Sequence, residues 1–390
     1  KEAYEKWSSF FKENEAEFDL IYDKLVKVRN QTALKLGFDS YTELGYLKMG
    51  RSDYNWKDVQ GFRDHVLKYI VPISNELRKR QAKRIGVDQF KYYDIPFNFT
   101  SGNPSPKGNK EWIMERTKKM YEELSLETHE FINIMIDRDL FDLETKTNKQ
   151  AGGYCTFIYD YDSPFIFANF NGTQDDVTVV THEAGHAFQS YQSRHFDAPE
   201  FNFPTPEAAE IHSMSMEFIT WPWMESFFEE DIDKFKFFHL ADSLCFIPYG
   251  VTVDEFQHIV YENPDMTPDE RKKAWRDIEK KYTPYKDYDD NEFLNKGTYW
   301  FKQGHIFALP FYYIDYTLAQ ICSYQYWLRF MADRETAWKD YLKICNIGGS
   351  KSFLDILKTG YLSSPFEEVT ISQVASKIKE YLNNIDDMKM

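Results

Sequence analysis

His182 and His186 stand four residues apart, with Glu183 directly after the first, in the run His182-Glu183-Ala184-Gly185-His186. On a helix, residues i and i+4 share a face and lie about 6 Å apart along the axis. Two imidazoles placed in this way can ligate one tetrahedral metal ion at about 2.0–2.1 Å. Glu183 projects from the neighbouring face, where it can reach a water on that ion without being a ligand. The metal would bring the water's pKa toward about 7, and Glu183 would take its proton as the water attacks a carbonyl. Gly185 leaves room for a backbone or a substrate to approach closely.

A catalytic ion of this kind needs a third protein ligand and an open fourth position. The next predicted helix starts at Thr205-Pro206, a cap residue followed by proline at the first helical position. Glu207, Glu210, Met214, Glu217 and Trp221 fall on one face of it by the 3.6-residue period. Glu210 lies one turn into this helix beside Ala208 and Ala209, small residues that permit close packing, and is the expected ligand. Glu217, two turns on, is placed to orient a ligand histidine from behind. Glu207 reads equally as part of a solvated stripe. Near the end of the chain, His305 precedes Tyr312, Tyr313 and Tyr316. A phenol or imidazole donor beside the metal would stabilise the tetrahedral oxyanion of peptide hydrolysis by several kcal/mol. Tyr313 and Tyr316 are three residues apart and share a helix face. With 27 tyrosines in the chain, plain packing is the competing reading for any one of them.

Most of the chain carries helical periodicity. Apolar positions at helical spacing cover residues 2–36, ending at Gly37, and Ser40 to Glu43 form a capping-box pattern for the next helix. Amphipathic charged segments cover roughly 56–87 and 109–146. Two stretches, Gly152 to Tyr159 and Pro164 to Phe170, are β-like, and the second stops at Asn171-Gly172. Thr173 then caps the helix that carries the histidines. That helix contains the run Val177-Thr178-Val179-Val180-Thr181, whose β-branched residues disfavour helix locally, so burial must hold it. Thr267-Pro268 opens a further helix, and residues 296–382 read as helices with short breaks.

The chain has 390 residues, and 63 acidic against 47 basic side chains give a net charge of −16. An acidic surface without a basic patch argues against nucleic acid as a partner. No run of 18 apolar residues exists, so no membrane partner is expected. Four cysteines far apart, Cys155, Cys245, Cys322 and Cys345, read as buried thiols in a reducing, cytoplasmic compartment. The first residues, Lys1-Glu2-Ala3-Tyr4, form no signal peptide. They include no initiator methionine, and the chain reads as a short variant, a fragment or one piece of a longer protein.

Taken together, several stretches resemble the oligoendopeptidase F branch of the thimet oligopeptidase family. They are Gly152 to Thr156, Phe165 to Thr173, Thr181 to Gln189, Glu210 to Glu217, Asp254 to His258, His305 to Tyr316 and, upstream, Arg29 to Arg51. The resemblance implies a mostly α, multi-helix zincin-type metallopeptidase with a small β-sheet beside the HExxH helix and a deep substrate channel. It implies one zinc ion held by His182, His186 and Glu210, with Glu183 as general base. It assigns His305 and Tyr316 to catalysis, and Tyr312 and Tyr313 to substrate, with the tyrosine register open by one residue. The strand from Phe167 to Gly172, and with it Ala168 and Gly172, is expected to pair with the substrate backbone. The implied activity is zinc-dependent hydrolysis of short unstructured oligopeptides by a metal-bound water that Glu183 activates. Residues 1–150 would form part of the channel wall and 151–390 the catalytic region, as one continuous unit. An extra N-terminal helical portion usual in the family is expected to be absent here.

Two other readings stand beside this one. A di-iron carboxylate bundle would use Glu183-x-x-His186 and Glu255-x-x-His258, but such a site has no use for His182. A peptide-binding protein without catalysis would have no need of Glu183. Internal cleavage and end-directed cleavage are both open. His195, His212 and His258 are further candidates for contacts behind the ligands or to substrate.

Overall fold

A computed structural model describes residues 1–390. The chain forms two compact units, one of residues 1–102, 240–317 and 365–390, the other of residues 103–239 and 318–364.

The second unit contains the only sheet. Strands β1 (Phe141–Glu144), β2 (Tyr154–Ile158) and β3 (Ser163–Phe170) lie in the order β1-β3-β2. β1 runs parallel to β3, with Phe141 opposite Ile166, and β2 runs antiparallel, with Tyr154 opposite Phe167 and Ile158 opposite Ser163. β3 is therefore the middle strand, and Ile166 and Ala168 on it are fully buried. The chain then turns through Asn171-Gly172. Both backbone N–H groups there donate to the Asp176 carboxylate at 2.8 Å, while Thr173 accepts from the Asp175 N–H and caps the helix Gln174–Gln192. One face of this helix packs on the sheet. Another lies against the helix Pro206–Ile219. Phe188 sits between Phe131 of Leu126–Asp137 and Trp338 of Arg334–Ile347, with ring centroids 5.5 and 5.7 Å away. The β-branched run from Val177 to Thr181 is helical because it is enclosed: Val177 and Val180 have no exposed surface, and burial outweighs a propensity deficit of a few tenths of a kcal/mol per residue.

The first unit is helical. It includes Glu2–Glu13, Glu15–Lys35, Tyr41–Lys48, Trp56–Tyr69, Val71–Ile85, Pro268–Tyr282 and Glu368–Asn383. Its core holds Tyr22, Phe256, Trp275 and Trp300, all without exposed surface. Phe256 contacts both indoles at 5.3 and 5.1 Å between centroids.

Several expected helices are interrupted. The stretch 2–36 breaks at Asn14, whose side chain bonds back to the Phe10 carbonyl at 2.7 Å, as short polar side chains do in competition with the helix. The stretch 56–87 breaks at Ile70, ahead of Pro72, which cannot donate and crowds the residues before it. The stretch 109–146 breaks at Ser125, which caps the following helix, and its last residues are not helical. Asp139 takes a left-handed φ of 53°, and Phe141–Glu144 forms β1. Ser40 and Thr205 do precede helices, but neither side chain makes a capping bond. At Thr267 the full capping box with Glu270 is formed.

Candidate metal centre

The two histidines face one way because the helix Gln174–Gln192 is regular through both, and their rings lie 5.1 Å apart at 82°. Glu210 reaches them from the helix Pro206–Ile219. One of its oxygens, Oε2, is 3.3 Å from His182 Nε2 and 3.5 Å from His186 Nε2. One donor atom from each of the three residues lies within 4.8 Å of the others. Donors at about 2.0–2.1 Å around a tetrahedral ion are separated by about 3.3 Å, so this set fits a zinc-sized ion. Ser213 Oγ also donates to Glu210 Oε2, at 2.8 Å.

The close approach of the two helices is made at Gly185. A Cβ there would lie 2.6 Å from both the His212 carbonyl oxygen and Ser213 Cα. The space expected at Gly185 is thus filled by the backbone of the Glu210 helix, which is what brings Glu210 within reach of the two histidines.

Electrostatics match the geometry. Burial opposes charge on His182, but hydrogen bonds to Glu210 and Glu217 prevail and hold it well above the ordinary histidine range. Burial alone would raise Glu210, yet His186 and His182 hold its carboxyl well below the ordinary carboxylate range. Glu183 is different. Burial raises its pKa, and its Oε2 is enclosed without a hydrogen-bond partner. Gly153, just ahead of β2, approaches so near that a Cβ there would be 3.2 Å from Glu183 Oε1.

Glu217 holds His182 from behind, with Nδ1 and Oε1 2.7 Å apart. Its other oxygen meets His239 Nε2 at 2.7 Å, and His239 Nδ1 in turn accepts from the Trp221 indole N–H at 3.0 Å. The sequence did not single out His239, which lies in a long apolar helix and has no motif around it. Glu207, one of whose readings was a solvated stripe, has no exposed surface.

The remaining candidates are placed as follows. Ala168 is buried, and its carbonyl accepts from Lys149 Nζ at 2.6 Å. Gly172 has a φ of 85° and gives its N–H to Asp176. In the first unit, His305 stacks on Tyr312 at 5.6 Å and meets Tyr313 and Tyr316 edge-on at 5.2 and 6.0 Å. His305 Nδ1 is 2.7 Å from Gln303 Nε2, and Gln303 Oε1 accepts from the Tyr249 hydroxyl at 2.8 Å. Burial pushes the Tyr313 hydroxyl up. The other histidines have local roles. His195 Nδ1 is 3.1 Å from the Gln192 carbonyl. His212 is buried beside Cys345 and pushed down to about 3 by burial. His258 Nε2 is 3.0 Å from the Tyr46 hydroxyl, and burial pushes it down to about 4. Glu255 takes Lys281 at 2.9 Å together with the Tyr282 hydroxyl. Neither Glu255 nor His258 joins the cluster of His182, His186 and Glu210, so the second motif of a di-iron site is not assembled with the first. Cys245, Cys322 and Cys345 are buried and Cys155 is half-buried, all as free thiols. No helix is long and apolar enough to cross a membrane.

The family model for peptidase family M3 matches residues 1–375. An oligoendopeptidase F homolog of Borreliella burgdorferi is 24% identical over 298 residues, 74% of this chain and 49% of that protein. The chromosomal oligoendopeptidase F of Lactococcus lactis subsp. cremoris is 23% identical over 407 residues, 98% of this chain and 61% of that protein. A solved structure of PZ peptidase A with an inhibitor superposes with a TM-score of 0.96 at 57% identity, covering 97% of this chain and 68% of that one. The chain thus spans about half to three-fifths of the length of the curated relatives it matches.

Proposed function

Since the chain belongs to peptidase family M3, we propose that it carries the activity of a cytoplasmic zinc endopeptidase that hydrolyses short, unstructured oligopeptides. The observation that carries this reading is the meeting of His182, His186 and Glu210 around one point, with the unpartnered Glu183 carboxylate oxygen beside them. The relatives' name, oligoendopeptidase F, supports internal cleavage of oligopeptides.

His182, His186 and Glu210 would hold one zinc ion. Bound there, the ion supplies Lewis acidity that makes a water nucleophilic near neutral pH and polarises a carbonyl. Glu183 accepts a proton from the attacking water as its oxygen bonds to the carbonyl carbon. The C–N bond then breaks, and the same carboxyl returns the proton to the leaving amine. A carboxylate raised by burial is suited to both directions of that transfer. His305 and Tyr316 donate to the carbonyl oxygen as negative charge develops on it. Tyr312 and Tyr313 supply further substrate contacts, whereas the Gly172 N–H expected to pair with substrate is already given to Asp176.

The test is digestion of a graded set of quenched peptides, with products read by mass, before and after metal removal. Excess chelator is expected to abolish cleavage and added zinc to restore it. Full activity in excess chelator would overturn the zinc assignment.

A further inference from the structure

The hydrogen bonds behind His182 continue one residue further than a metal site requires. An indole N–H can only donate. At 3.0 Å from Trp221 Nε1, the Nδ1 atom of His239 must therefore be an acceptor, which places the proton of a neutral ring on Nε2. That Nε2–H points at Glu217 Oε2, 2.7 Å away. Glu217 thus accepts from His239 on one oxygen and from His182 Nδ1–H on the other, the latter also at 2.7 Å. A carboxylate held on both oxygens by short bonds cannot rotate without losing one of them. The His239 ring is itself fixed, stacked on Phe235 at 5.5 Å and 7° and packed against Phe218 at 4.7 Å. His239 and Trp221 are 7% and 6% exposed, so water offers little substitute for either bond.

We infer that His239, oriented by Trp221, is a positioning residue for the metal centre: it locks Glu217, and Glu217 in turn holds the His182 Nδ1–H and so turns Nε2 toward the position the ion would take. Without His239, one Glu217 oxygen would lie enclosed and unpaired. The carboxylate would then turn to find a partner, and His182 would lose its anchor. The inference rests on the proposed zinc site.

Zinc affinity decides it, measured on the apoprotein by competition with a chromophoric chelator, with no peptide present. His239→Phe keeps the aromatic packing and removes both hydrogen bonds. It is expected to weaken zinc binding about 10–100-fold, the usual effect of losing a partner behind a ligand. His239→Gln offers a carbonyl to Trp221 and an N–H to Glu217, and is expected to restore most of the affinity. Trp221→Phe, which frees the His239 tautomer, should fall between wild type and His239→Phe. A purely structural role would lower thermal stability in His239→Phe and leave zinc affinity in the folded protein unchanged, which would overturn the inference. Should His239→Phe not fold, wild-type affinity in Trp221→Phe overturns it equally. Failure of the wild type to bind zinc would instead overturn the metal site itself, so the two failures are distinguishable.

Discussion

Two regions of the molecule carry its candidate chemistry, and they are built in opposite ways. The helices Gln174–Gln192 and Pro206–Ile219 are regular, and on each the helical repeat sets which residues face the candidate metal position. The segment from Gln303 to Tyr316 is irregular. It contains a five-residue helix, Gly304–Ala308, then Phe311 with a left-handed φ of 67°, then the start of the helix Tyr313–Ala332. A bulky residue in that conformation costs on the order of 1–3 kcal/mol and persists only where its surroundings impose it. Here they do. The Phe311 N–H donates to Gln257 Oε1 at 3.0 Å, and its carbonyl accepts from Arg51 Nη2 at 2.5 Å. Arg51 also pairs with Asp315 at 2.6 Å, both side chains without exposed surface. The Phe311 ring packs among His258, Tyr46 and Tyr261 at 4.9–5.5 Å. The metal helices encode their geometry locally. The tyrosine segment borrows its geometry from residues more than fifty or two hundred and fifty positions away.

The sharpest way to separate the two is to break each at its chemical centre. Glu183→Gln should leave the ion bound and lower kcat by about 10²–10⁴, the worth of a general base. Metal content by mass spectrometry and steady-state rates check it, and a near-normal rate removes Glu183 from its role. In the other region the largest effect is expected from a residue that performs no chemistry. Arg51→Met removes the cation beside buried Asp315 and should cost about 3–5 kcal/mol in urea unfolding. Zinc affinity should be retained. The double variant Arg51→Met/Asp315→Leu should regain part of the stability but not the rate, because the Phe311 carbonyl still lacks its donor. Loss of zinc affinity in Arg51→Met would mean that the two regions are not independent.

This difference also explains what could be read from the chain. His182, Glu183, His186 and Glu210 follow from spacing on two helices, and Glu217 from two further turns of the second. β2 and β3 were visible as aromatic and β-branched runs. β1 was not, because Phe141–Glu144 is four residues long, ends a charged amphipathic stretch, and is a strand only through its pairing with β3. Arg51, Gln257 and His258 stood in segments that matched a family pattern, yet nothing local in them points to Phe311. Glu207 was legible as a carboxylate on an apolar stripe, but its burial is a property of the packing around it. Likewise, His239 gains meaning only from Glu217 and Trp221, both distant in sequence.

Tyr316→Phe probes the tyrosine segment without disturbing its clamp. A phenol acting on the oxyanion should show as a fall in kcat of about 10²–10³ with a smaller change in KM. The reverse pattern makes Tyr316 a binding residue, and the segment then positions substrate rather than charge.

The smallest effect is expected where the local region has its one non-local requirement. Gly185→Ala places a methyl group 2.6 Å from two backbone atoms of the neighbouring helix. Alanine is favoured over glycine inside a helix by about 1 kcal/mol, so on propensity alone the variant would be more stable. Overpacking against a backbone that cannot swing aside costs about 1–3 kcal/mol, and the net change should be a loss. The displaced helix carries Glu210, whereas both histidines lie on the helix that receives the methyl group. Zinc affinity should therefore fall along with stability, and circular dichroism should show helix content unchanged. A variant stabilised by the propensity gain with unaltered zinc affinity would show that the helices separate freely, and that Glu210 does not depend on close packing at Gly185. The contrast with the tyrosine segment would then be one of degree, since even the locally encoded ligand set needs one contact that the helical repeat does not supply.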